Sequence, residues 1–296
     1  MIKNRRNGLW QRIFFVFLIF ASGCSNSGPK ISERENNTPA ESDSQSKETD
    51  SNPTEQIKND PNEPPWLRSA KKDCVEWPHR FLDDSKETFT RPDNITALLL
   101  AGAASAVMDR DADKRVANYL ERHQKLHNFS DESLNIIGHP TTHFAADTIW
   151  YFISAQNEDD FNRERAWTMR NALTITWLAT TGLKLIRNNE TPNGKDFAWP
   201  SGHTSSSFTV ASVLDEFYGP KVGIPAYAVA SLVAYRMMDS GDHWASDIVF
   251  GATLGWVVGH TVAGKHKELE VAGFKFVPIM PITEEPAVGI GLLKRF

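Results

Sequence analysis

Hydrophobic and polar positions follow a helical period through most of the chain after residue 93. Apolar residues three and four positions apart mark one face of an α-helix. This pattern predicts six helices, over residues 94–109, 142–156, 162–187, 203–217, 223–238 and 243–264. The last thirty residues instead carry "FKFVPIMP" and "AVGIGLLKRF", which alternate or run apolar and predict a β-hairpin. The sequence therefore predicts an all-α fold, a soluble helical bundle with a small C-terminal β-hairpin.

The longest apolar segments are interrupted by charged residues and histidines, so no predicted helix is expected to span a bilayer. The last predicted helix has glycines four residues apart, at Gly251, Gly255 and Gly259. In a membrane this spacing suggests helix dimerisation. In a helical bundle it indicates that a neighbouring helix packs closely against the glycine face.

The first 24 residues have the features of a secretion signal. Four basic residues and no acidic ones precede the apolar segment "IFFVFLIF", which is followed by "ASGC". This ending resembles a bacterial lipobox, which implies that Cys24 is lipidated; an ordinary signal peptide with an incidental cysteine is the alternative. Ser25 resembles the outer-membrane sorting type of a Gram-negative bacterium. The sequence thus predicts a lipid-anchored protein of the cell envelope, on the outer membrane and facing the periplasm.

Residues 25–65 are polar and acidic and contain three apolar residues, which predicts a disordered tether. Residues 66–296 are long enough to form one substantial core. Lipidation of Cys24 would leave Cys74 without an intrachain partner, so no disulfide framework is expected. The net charge of −5 is not the basic balance of a nucleic-acid-binding protein.

The stretch "FAWPSGHTSSSF" combines a proline, a serine and a glycine at the start of a predicted helix. Serine is a favoured N-cap, so Ser201 is predicted to cap a helix that begins with Gly202 and His203. The backbone N–H groups and the positive helix dipole at such a start form an anion site. A histidine there can hold or release a proton near neutral pH.

A second stretch, "DHWASDIVFG", places His243 and Asp247 four residues apart, within side-chain reach on one helix face. A carboxylate bonded to one imidazole nitrogen fixes the tautomer and leaves the other nitrogen as a base or nucleophile. No metal-ligand cluster stands out, because the acids of "DRDADK" are predicted to form a solvated turn. The two histidines of "GHPTTHF", His139 and His143, are predicted to cap or pack.

Together these motifs resemble the type 2 phosphatidic acid phosphatase / vanadium haloperoxidase superfamily, whose signatures are Lys-x6-Arg-Pro, Pro-Ser-Gly-His and Ser-Arg-x5-His-x3-Asp. The resemblance covers roughly residues 140–264, with the core motifs in 184–251. It implies an α-helical bundle of the acid phosphatase/haloperoxidase type. It further implies that His243 is the nucleophile, that Asp247 orients it and that His203 is the general acid. The implied phosphate cradle consists of Lys184, Ser201, the Gly202 N–H and Arg236.

Two positions depart from these signatures. The arginine of the first signature is Thr191, and we hypothesise that Arg187 or Lys195 supplies the missing charge. In the third signature, six residues rather than five separate Arg236 from His243. If the extra residue lies in the turn "MDSGD", Arg236 keeps its role; an ungapped alignment would place Met237 there instead.

The sequence thus predicts a metal-independent phosphatase without a cofactor, which cleaves a phosphate monoester through a phosphohistidine. Its expected partners are a phosphorylated small molecule or a phospholipid, such as phosphatidic acid or a lipid pyrophosphate, and the membrane through Cys24. One alternative is a vanadium-dependent haloperoxidase that holds vanadate in the same cradle. The other is a non-catalytic phosphate-binding or scaffold lipoprotein. Nucleic acid is not an expected partner.

Overall fold

The computed structural model describes residues 63–264 and the backbone of three short strands beyond them. The predicted signal peptide, Cys24 and the tether up to residue 62 lie outside the described residues. The chain divides into two compact units, Met1–Trp77 and Pro78–Phe296. The described part of the first unit contributes the beginning of one helix, and the second unit contains the candidate site.

Nine helices lie within residues 63–264: α1 (Pro65–Thr90), α2 (Pro92–Asp111), α3 (Asp113–Arg122), α4 (Asn128–Gly138), α5 (Pro140–Gln156), α6 (Asp160–Arg187), α7 (Gly202–Tyr218), α8 (Pro220–Asp239) and α9 (Ala245–Gly264). All six predicted helices are confirmed, and none of their ends moves by more than three residues. The hydrophobic pattern did not predict α1, α3 or α4. None of these nine helices combines the length and the apolar composition needed to cross a membrane.

Three strands follow the helices: β1 (Glu270–Val271), β2 (Phe274–Ile279) and β3 (Gly289–Lys294). They are antiparallel in the order β1-β2-β3, and β2 and β3 pair from Phe274 opposite Lys294 to Ile279 opposite Gly289. Their side chains and the segments that join them lie outside the described residues. The predicted C-terminal hairpin therefore stays a prediction.

The helix boundaries follow local backbone chemistry. Proline is the first residue of four helices, where its missing N–H costs no helical hydrogen bond. Asn188 has a φ of 41° and ends α6 in the left-handed conformation that asparagine tolerates better than most residues. Gly219, with a φ of 73°, makes the turn between α7 and α8. Asn188 and Gly219 thus determine where α6 ends and where α8 begins.

The main hydrophobic core forms around α9. Leu254, Val258 and Val262 of this helix are almost fully buried. They belong to one cluster with Leu173 of α6 and Val213 of α7. Since α9 begins immediately after the "DHW" segment, the core fixes the helix that carries one of the two chemical motifs.

Helices α7 and α9 approach each other through small residues. A Cβ atom at Gly255 would overlap the backbone carbonyl oxygen of Ser205 and lie 2.9 Å from the nitrogen of Thr209. Gly251 and Gly259 are similarly close to the α7 backbone. The predicted close packing of the glycine face is thereby confirmed. It also explains the small hydroxyl residues after His203, since larger side chains would separate the two helices.

We expect Gly255→Ala to destabilise the protein by about 3 kcal/mol, because the new methyl group meets backbone atoms that cannot rotate away. The measurement is the free energy of unfolding in urea. Wild type and variant are compared with the same m-value, the slope of this free energy against urea concentration. Gly182→Ala is the matched control, since no heavy atom outside its own helix lies within 4 Å of its Cβ position. That change should stabilise α6 by about 0.5–1 kcal/mol. Equal stability of wild type and Gly255→Ala would contradict the proposed close approach.

Candidate active site

The segment from Ser201 to His203 forms the start of α7, as the sequence predicts. Ser201 is the N-cap, and its Oγ accepts the N–H of Thr204 at 3.4 Å. Its own N–H donates to the backbone carbonyl of Asp247 at 3.2 Å, and the residue is fully buried. The first N–H groups of a helix have no partner within it, so Gly202 and His203 present theirs at the positive end of the dipole. The start of α7 therefore offers donors to an anion.

His243 and Asp247 form the side-chain pair that their spacing predicts. His243 Nδ1 lies 3.2 Å from Asp247 Oδ2, and the same oxygen accepts the N–H of Trp244 at 2.9 Å. The prediction that His243 itself is helical was wrong, because α9 begins at Ala245. The contact still forms, because Asp247 lies in the first turn of α9 and its side chain extends toward His243, which precedes the helix.

Burial favours a neutral imidazole at His243. Burial lowers the pKa of this ring, and the hydrogen bond to Asp247 opposes that shift. A carboxylate can only accept, so the hydrogen bond to Asp247 requires the ring proton to be on Nδ1 of His243. The lone pair of the neutral ring is then on Nε2. Asp247 is completely buried, and its Oδ1 has no hydrogen-bond partner among residues 63–264. The pair thus presents one nucleophilic nitrogen.

His203 lies near enough to His243 for the charge of that ring to affect its pKa. Burial first, and then positive charge on His139, His243 and Arg236, lower the pKa of His203 to about 3, and the charge of Asp242 opposes this shift. Its Nε2 is buried and has no hydrogen-bond partner in the described part of the chain. A buried polar atom without a partner requires a physical explanation, and a site that binds a ligand is one. His203 therefore has a buried ring nitrogen that is available to a ligand.

The histidines of "GHPTTHF" pack and cap, and one of them also contacts the site. His139 is the N-cap of α5, and its Nδ1 accepts the N–H of Thr141 at 3.2 Å, which confirms the capping prediction. Its ring also meets the ring of His203 edge-on, with centroids 5.0 Å apart. Burial lowers the pKa of His143 to about 4, so this ring is neutral.

Lys184 extends from the last turn of α6 to the segment before α7. Its Nζ donates to the backbone carbonyls of Phe197 and Ala198, the latter at 3.2 Å. Burial lowers the pKa of Lys184 to about 8, and the negative charge of Asp247 opposes this shift. Lys184 is therefore near Asp247 and is mostly protonated at neutral pH.

Arg236, near the end of α8, is held by two carboxylates. Its Nε donates to Asp131 at 2.7 Å and its Nη2 to the same carboxylate at 3.2 Å. Its Nη1 donates to Asp242 at 2.7 Å. The guanidinium is buried, and its charge acts on His203. Arg236 thus belongs to the site, but its positive charge is shared with carboxylates that sequence reasoning did not assign.

Asp242 joins two cations at the edge of this site. Its Oδ1 accepts from Lys195 Nζ at 2.6 Å and from Asn193 Nδ2 at 2.9 Å, and its Oδ2 from Ser240 Oγ at 2.8 Å. Burial raises the pKa of Asp242, but these hydrogen bonds outweigh it and hold the pKa well below its usual range. The carboxylate is therefore ionised between Arg236 and Lys195. Its position directly before His243 was the signal that could have identified it.

The two cations suggested as replacements for the first-signature arginine lie in different places. Lys195 contacts Asp242, and its N–H donates to the Oγ1 of buried Thr191 at 2.8 Å. Arg187 instead donates to Asp109 at 2.9 Å and lies 5.1 Å from the centre of the Trp199 ring. The structure therefore brings Lys195, and not Arg187, into the network around Arg236.

The acids of "DRDADK" are solvated only in part: Asp109 and Asp111 are exposed, as the sequence predicts, but Asp113 is not. Asp113 is 2% exposed and accepts the N–H of Ser246 at 2.9 Å and the Ser246 hydroxyl. Asp109 is paired with Arg187. The alternation of acids with Arg110, Ala112 and Lys114 gave no indication that a helix more than a hundred residues away covers Asp113. Within residues 63–264, no three His, Cys, Asp or Glu side chains are grouped to hold a metal ion.

Comparison with known proteins identifies the family of the chain. The family model of the PAP2 superfamily matches residues 118–269, which include every predicted phosphate-site residue. The chain therefore belongs to the PAP2 superfamily. Its fold resembles the transmembrane PAP2-type phosphatidylglycerolphosphate phosphatase from Bacillus subtilis, with a TM-score of 0.50, 18% identity and coverage of 60% of this chain and 96% of that one. The predicted all-α fold of this family is confirmed.

Two further similarities are more limited. LpxE from Aquifex aeolicus is 20% identical, with a TM-score of 0.43 over 51% of this chain and 93% of that one. The lipid A 1-phosphatase of Porphyromonas gingivalis is 37% identical over 65 residues. That match covers 21% of this chain and 15% of the length of the lipid A 1-phosphatase.

Proposed function

We propose that the chain is a metal-independent phosphatase that hydrolyses a phosphate monoester through a phosphohistidine at His243. The observation that carries this proposal is the His243–Asp247 pair beside the buried, unpartnered Nε2 of His203. A ring nitrogen with a free lone pair and a second ring positioned as an acid are the two groups that such a reaction needs.

In the first step, Nε2 of His243 attacks phosphorus, and the bond between phosphorus and the leaving oxygen breaks. Asp247 stabilises the imidazolium that forms, since it accepts the hydrogen bond from Nδ1. His203 transfers a proton to the leaving oxygen, which departs as an alcohol. The pKa of about 3 describes His203 without a ligand, and a bound phosphate dianion would raise it by supplying opposite charge.

In the second step, water attacks phosphorus and the phosphorus–nitrogen bond breaks. His203, now neutral, accepts the proton from the attacking water. Inorganic phosphate leaves, and His243 returns to the neutral state with its proton on Nδ1. His203 thus serves as an acid in one step and as a base in the next.

The charge that develops on the phosphoryl oxygens is stabilised by the start of α7 and by side-chain cations. Gly202 and His203 supply backbone N–H groups, and Lys184 supplies a buried positive charge. Such preorganised donors stabilise the phosphoryl transition state without a metal. Arg236 contributes less than an unpaired arginine, because Asp131 and Asp242 neutralise it.

A phosphorylated lipid is the proposed substrate class. The B. subtilis neighbour and the P. gingivalis relative are named as phosphatases of phosphatidylglycerolphosphate and of lipid A, which supports this choice. Lipidation of Cys24 would hold the domain at the cell envelope, and the outer membrane is the proposed location. Phosphatidic acid and a lipid pyrophosphate are the first candidates.

The proposal is tested with the full chain in detergent, with chelator present throughout. Phosphate release is measured from an aryl phosphate and from phosphatidic acid, with and without vanadate. Chelator-resistant, vanadate-sensitive release from either substrate supports the phosphatase. Halide- and peroxide-dependent halogenation of a dye would indicate the haloperoxidase. Vanadate binding without turnover on any substrate would indicate the non-catalytic protein, which the neutralised Arg236 favours.

The pH profile provides a test of Lys184. Because its pKa is about 8, kcat/KM is expected to fall above about pH 8 as the ammonium loses its proton. Lys184→Arg should move this alkaline limb upward, since a guanidinium stays charged up to about pH 12. Lys221→Arg, at an exposed position of α8, is the control and should leave the limb in place. An unchanged limb in Lys184→Arg would show that another group titrates.

A further inference from the structure

Three polar side chains with a spacing of four residues lie along α2 and the start of α3. Ala112, between the two helices, keeps a right-handed helical backbone, so positions 105, 109 and 113 continue along one face. Each of the three accepts hydrogen bonds from a different segment of the candidate site: Ser105 from Trp199 Nε1 at 2.9 Å, Asp109 from Arg187 Nη2 at 2.9 Å, and Asp113 from the N–H of Ser246 at 2.9 Å. This face therefore contacts the first and third signature segments and the residue immediately before Pro-Ser-Gly-His.

Of the three side chains, Asp113 bonds the residue nearest to the His243–Asp247 pair, because Ser246 directly precedes Asp247. The N–H of Ser246 belongs to the first turn of α9, where helical N–H groups have no intrahelical partner. Asp113 satisfies that donor from another helix and also accepts from the Ser246 hydroxyl. Asp113 precedes the residues matched by the PAP2 family model, so it belongs to none of the three signatures.

The position of the Asp247 carboxylate depends on that first turn. Its Oδ2 holds both His243 and the N–H of Trp244, and its Oδ1 makes no hydrogen bond within residues 63–264. No side chain in the described residues other than His243 bonds this carboxylate. The backbone of the first turn of α9 therefore sets where it lies, and Asp113 holds that backbone at the preceding residue.

We propose that Asp113 is a positioning residue for the His243–Asp247 pair. It fixes the first turn of α9, so that the Asp247 carboxylate meets Nδ1 of His243 and directs Nε2 toward the phosphate. The inference rests on the proposed function for the role of the pair, but the placement of the pair can be measured without turnover. Burial raises the pKa of Asp113 and the charge of Asp247 adds to this shift, which agrees with their proximity.

The kinetic test compares Asp113→Ala with Asp84→Ala in the full chain. Asp84 is also buried, and it accepts a hydrogen bond from Asn171 on α6. Asn171 precedes Lys184 by thirteen residues, which is about 20 Å along the helix, so Asp84 is far from the candidate site. Asp113→Ala is expected to lower kcat for an aryl phosphate by about 10- to 100-fold, because small displacements of catalytic groups are costly. KM should change by less than about 3-fold, since the phosphate cradle is intact.

Two comparisons separate positioning from stability. Asp84→Ala should lower the unfolding midpoint and keep kcat, when both are assayed at a temperature where each variant is folded. Asp113→Asn retains an oxygen that accepts the Ser246 N–H, so it should recover most of the lost kcat. Asp113→Ala with an unchanged kcat would overturn the proposal.

The readout without turnover is the ¹⁵N chemical shift of the His243 ring nitrogens. Wild type should show a proton on Nδ1 only, and Asp113→Ala should show a mixture of tautomers. If wild type releases no phosphate, the proposed function fails, and this measurement still decides the positioning. If Asp113→Ala does not fold, Asp113→Leu, which removes both acceptor oxygens and fills their space, takes its place. That variant should also lose about 10- to 100-fold in kcat, and a kcat and a His243 tautomer equal to those of wild type would overturn the proposal.

Discussion

Replacing His243 with alanine is expected to lower phosphate release by about 10⁴- to 10⁶-fold in kcat. In the proposed mechanism, the variant lacks the nitrogen that attacks phosphorus. The Nε2 of His203 makes no hydrogen bond within residues 63–264, and burial lowers the pKa of this ring to about 3, so a positive charge on it is disfavoured. The measurement is phosphate release under chelator, at substrate concentrations well above KM.

His243→Ala should weaken the binding of phosphate or vanadate much less than it lowers kcat. The donors at the start of α7 and Lys184 do not depend on the His243 ring, so vanadate or phosphate should still bind. Quenching the wild-type reaction with radiolabelled substrate in alkaline detergent should trap a base-stable, acid-labile phosphoenzyme, which is absent in His243→Ala.

The control for His243→Ala is His260→Ala. His260 lies on α9, pairs with Glu216 and is half exposed, so its loss removes a histidine far along the same helix. Turnover in His260→Ala should equal that of wild type. Comparable activity of His243→Ala and wild type would exclude His243 as the nucleophile and would direct attention to His203.

The long helices could be predicted because two independent signals coincide at their ends. In α5, α7 and α8, a proline or an N-cap serine immediately precedes a periodic apolar segment. Of the helices that were missed, α3 and α4 begin with neither a proline nor an N-cap serine. α3 has ten residues, five of them charged, and buries only Asp113 and Leu120. Helices of this kind gain their stability from tertiary contacts rather than from their own pattern.

The site was predictable where its residues are close in sequence. The N-cap Ser201 and the contact between His243 and Asp247 follow from spacings of one turn or less. Partners far apart in sequence were not predictable. Asp131 lies 105 positions from Arg236, and Asp113 lies 133 positions from Ser246, so only the fold brings them together.

These distant partners change the charge of the site. The signatures suggest a phosphate cradle rich in cations, but the structure pairs Arg236 with Asp131 and Asp242. Lys195 is paired with Asp242 as well. Lys184, the third cation of the predicted cradle region, donates to the backbone carbonyls of Phe197 and Ala198. We therefore expect phosphate binding to depend more on Lys184 and on the start of α7 than the motifs alone indicate.

Asp247→Asn is expected to lower kcat by about 10³- to 10⁴-fold, because an amide cannot stabilise the imidazolium that forms at His243. Asp247 Oδ2 accepts two hydrogen bonds, from His243 Nδ1 and from the Trp244 N–H. If the amide nitrogen of the variant occupies that position, His243 must carry its proton on Nε2 and loses its nucleophilic lone pair. If the amide oxygen occupies it, the tautomer is kept, but the negative charge is gone.

The measurement is single-turnover phosphate release, together with the ¹⁵N shifts that report the His243 tautomer. Asp147→Asn is the matched control. Asp147 is also buried, with one oxygen that accepts from Arg170 at 2.9 Å and one that has no partner in the described residues. Burial raises the pKa of Asp147 to about 6, with Arg170 opposing, so its replacement removes a comparable carboxylate elsewhere. It should cost stability and leave kcat unchanged. An equal loss of kcat in both variants would mean that Asp247 acts through the fold and not on His243.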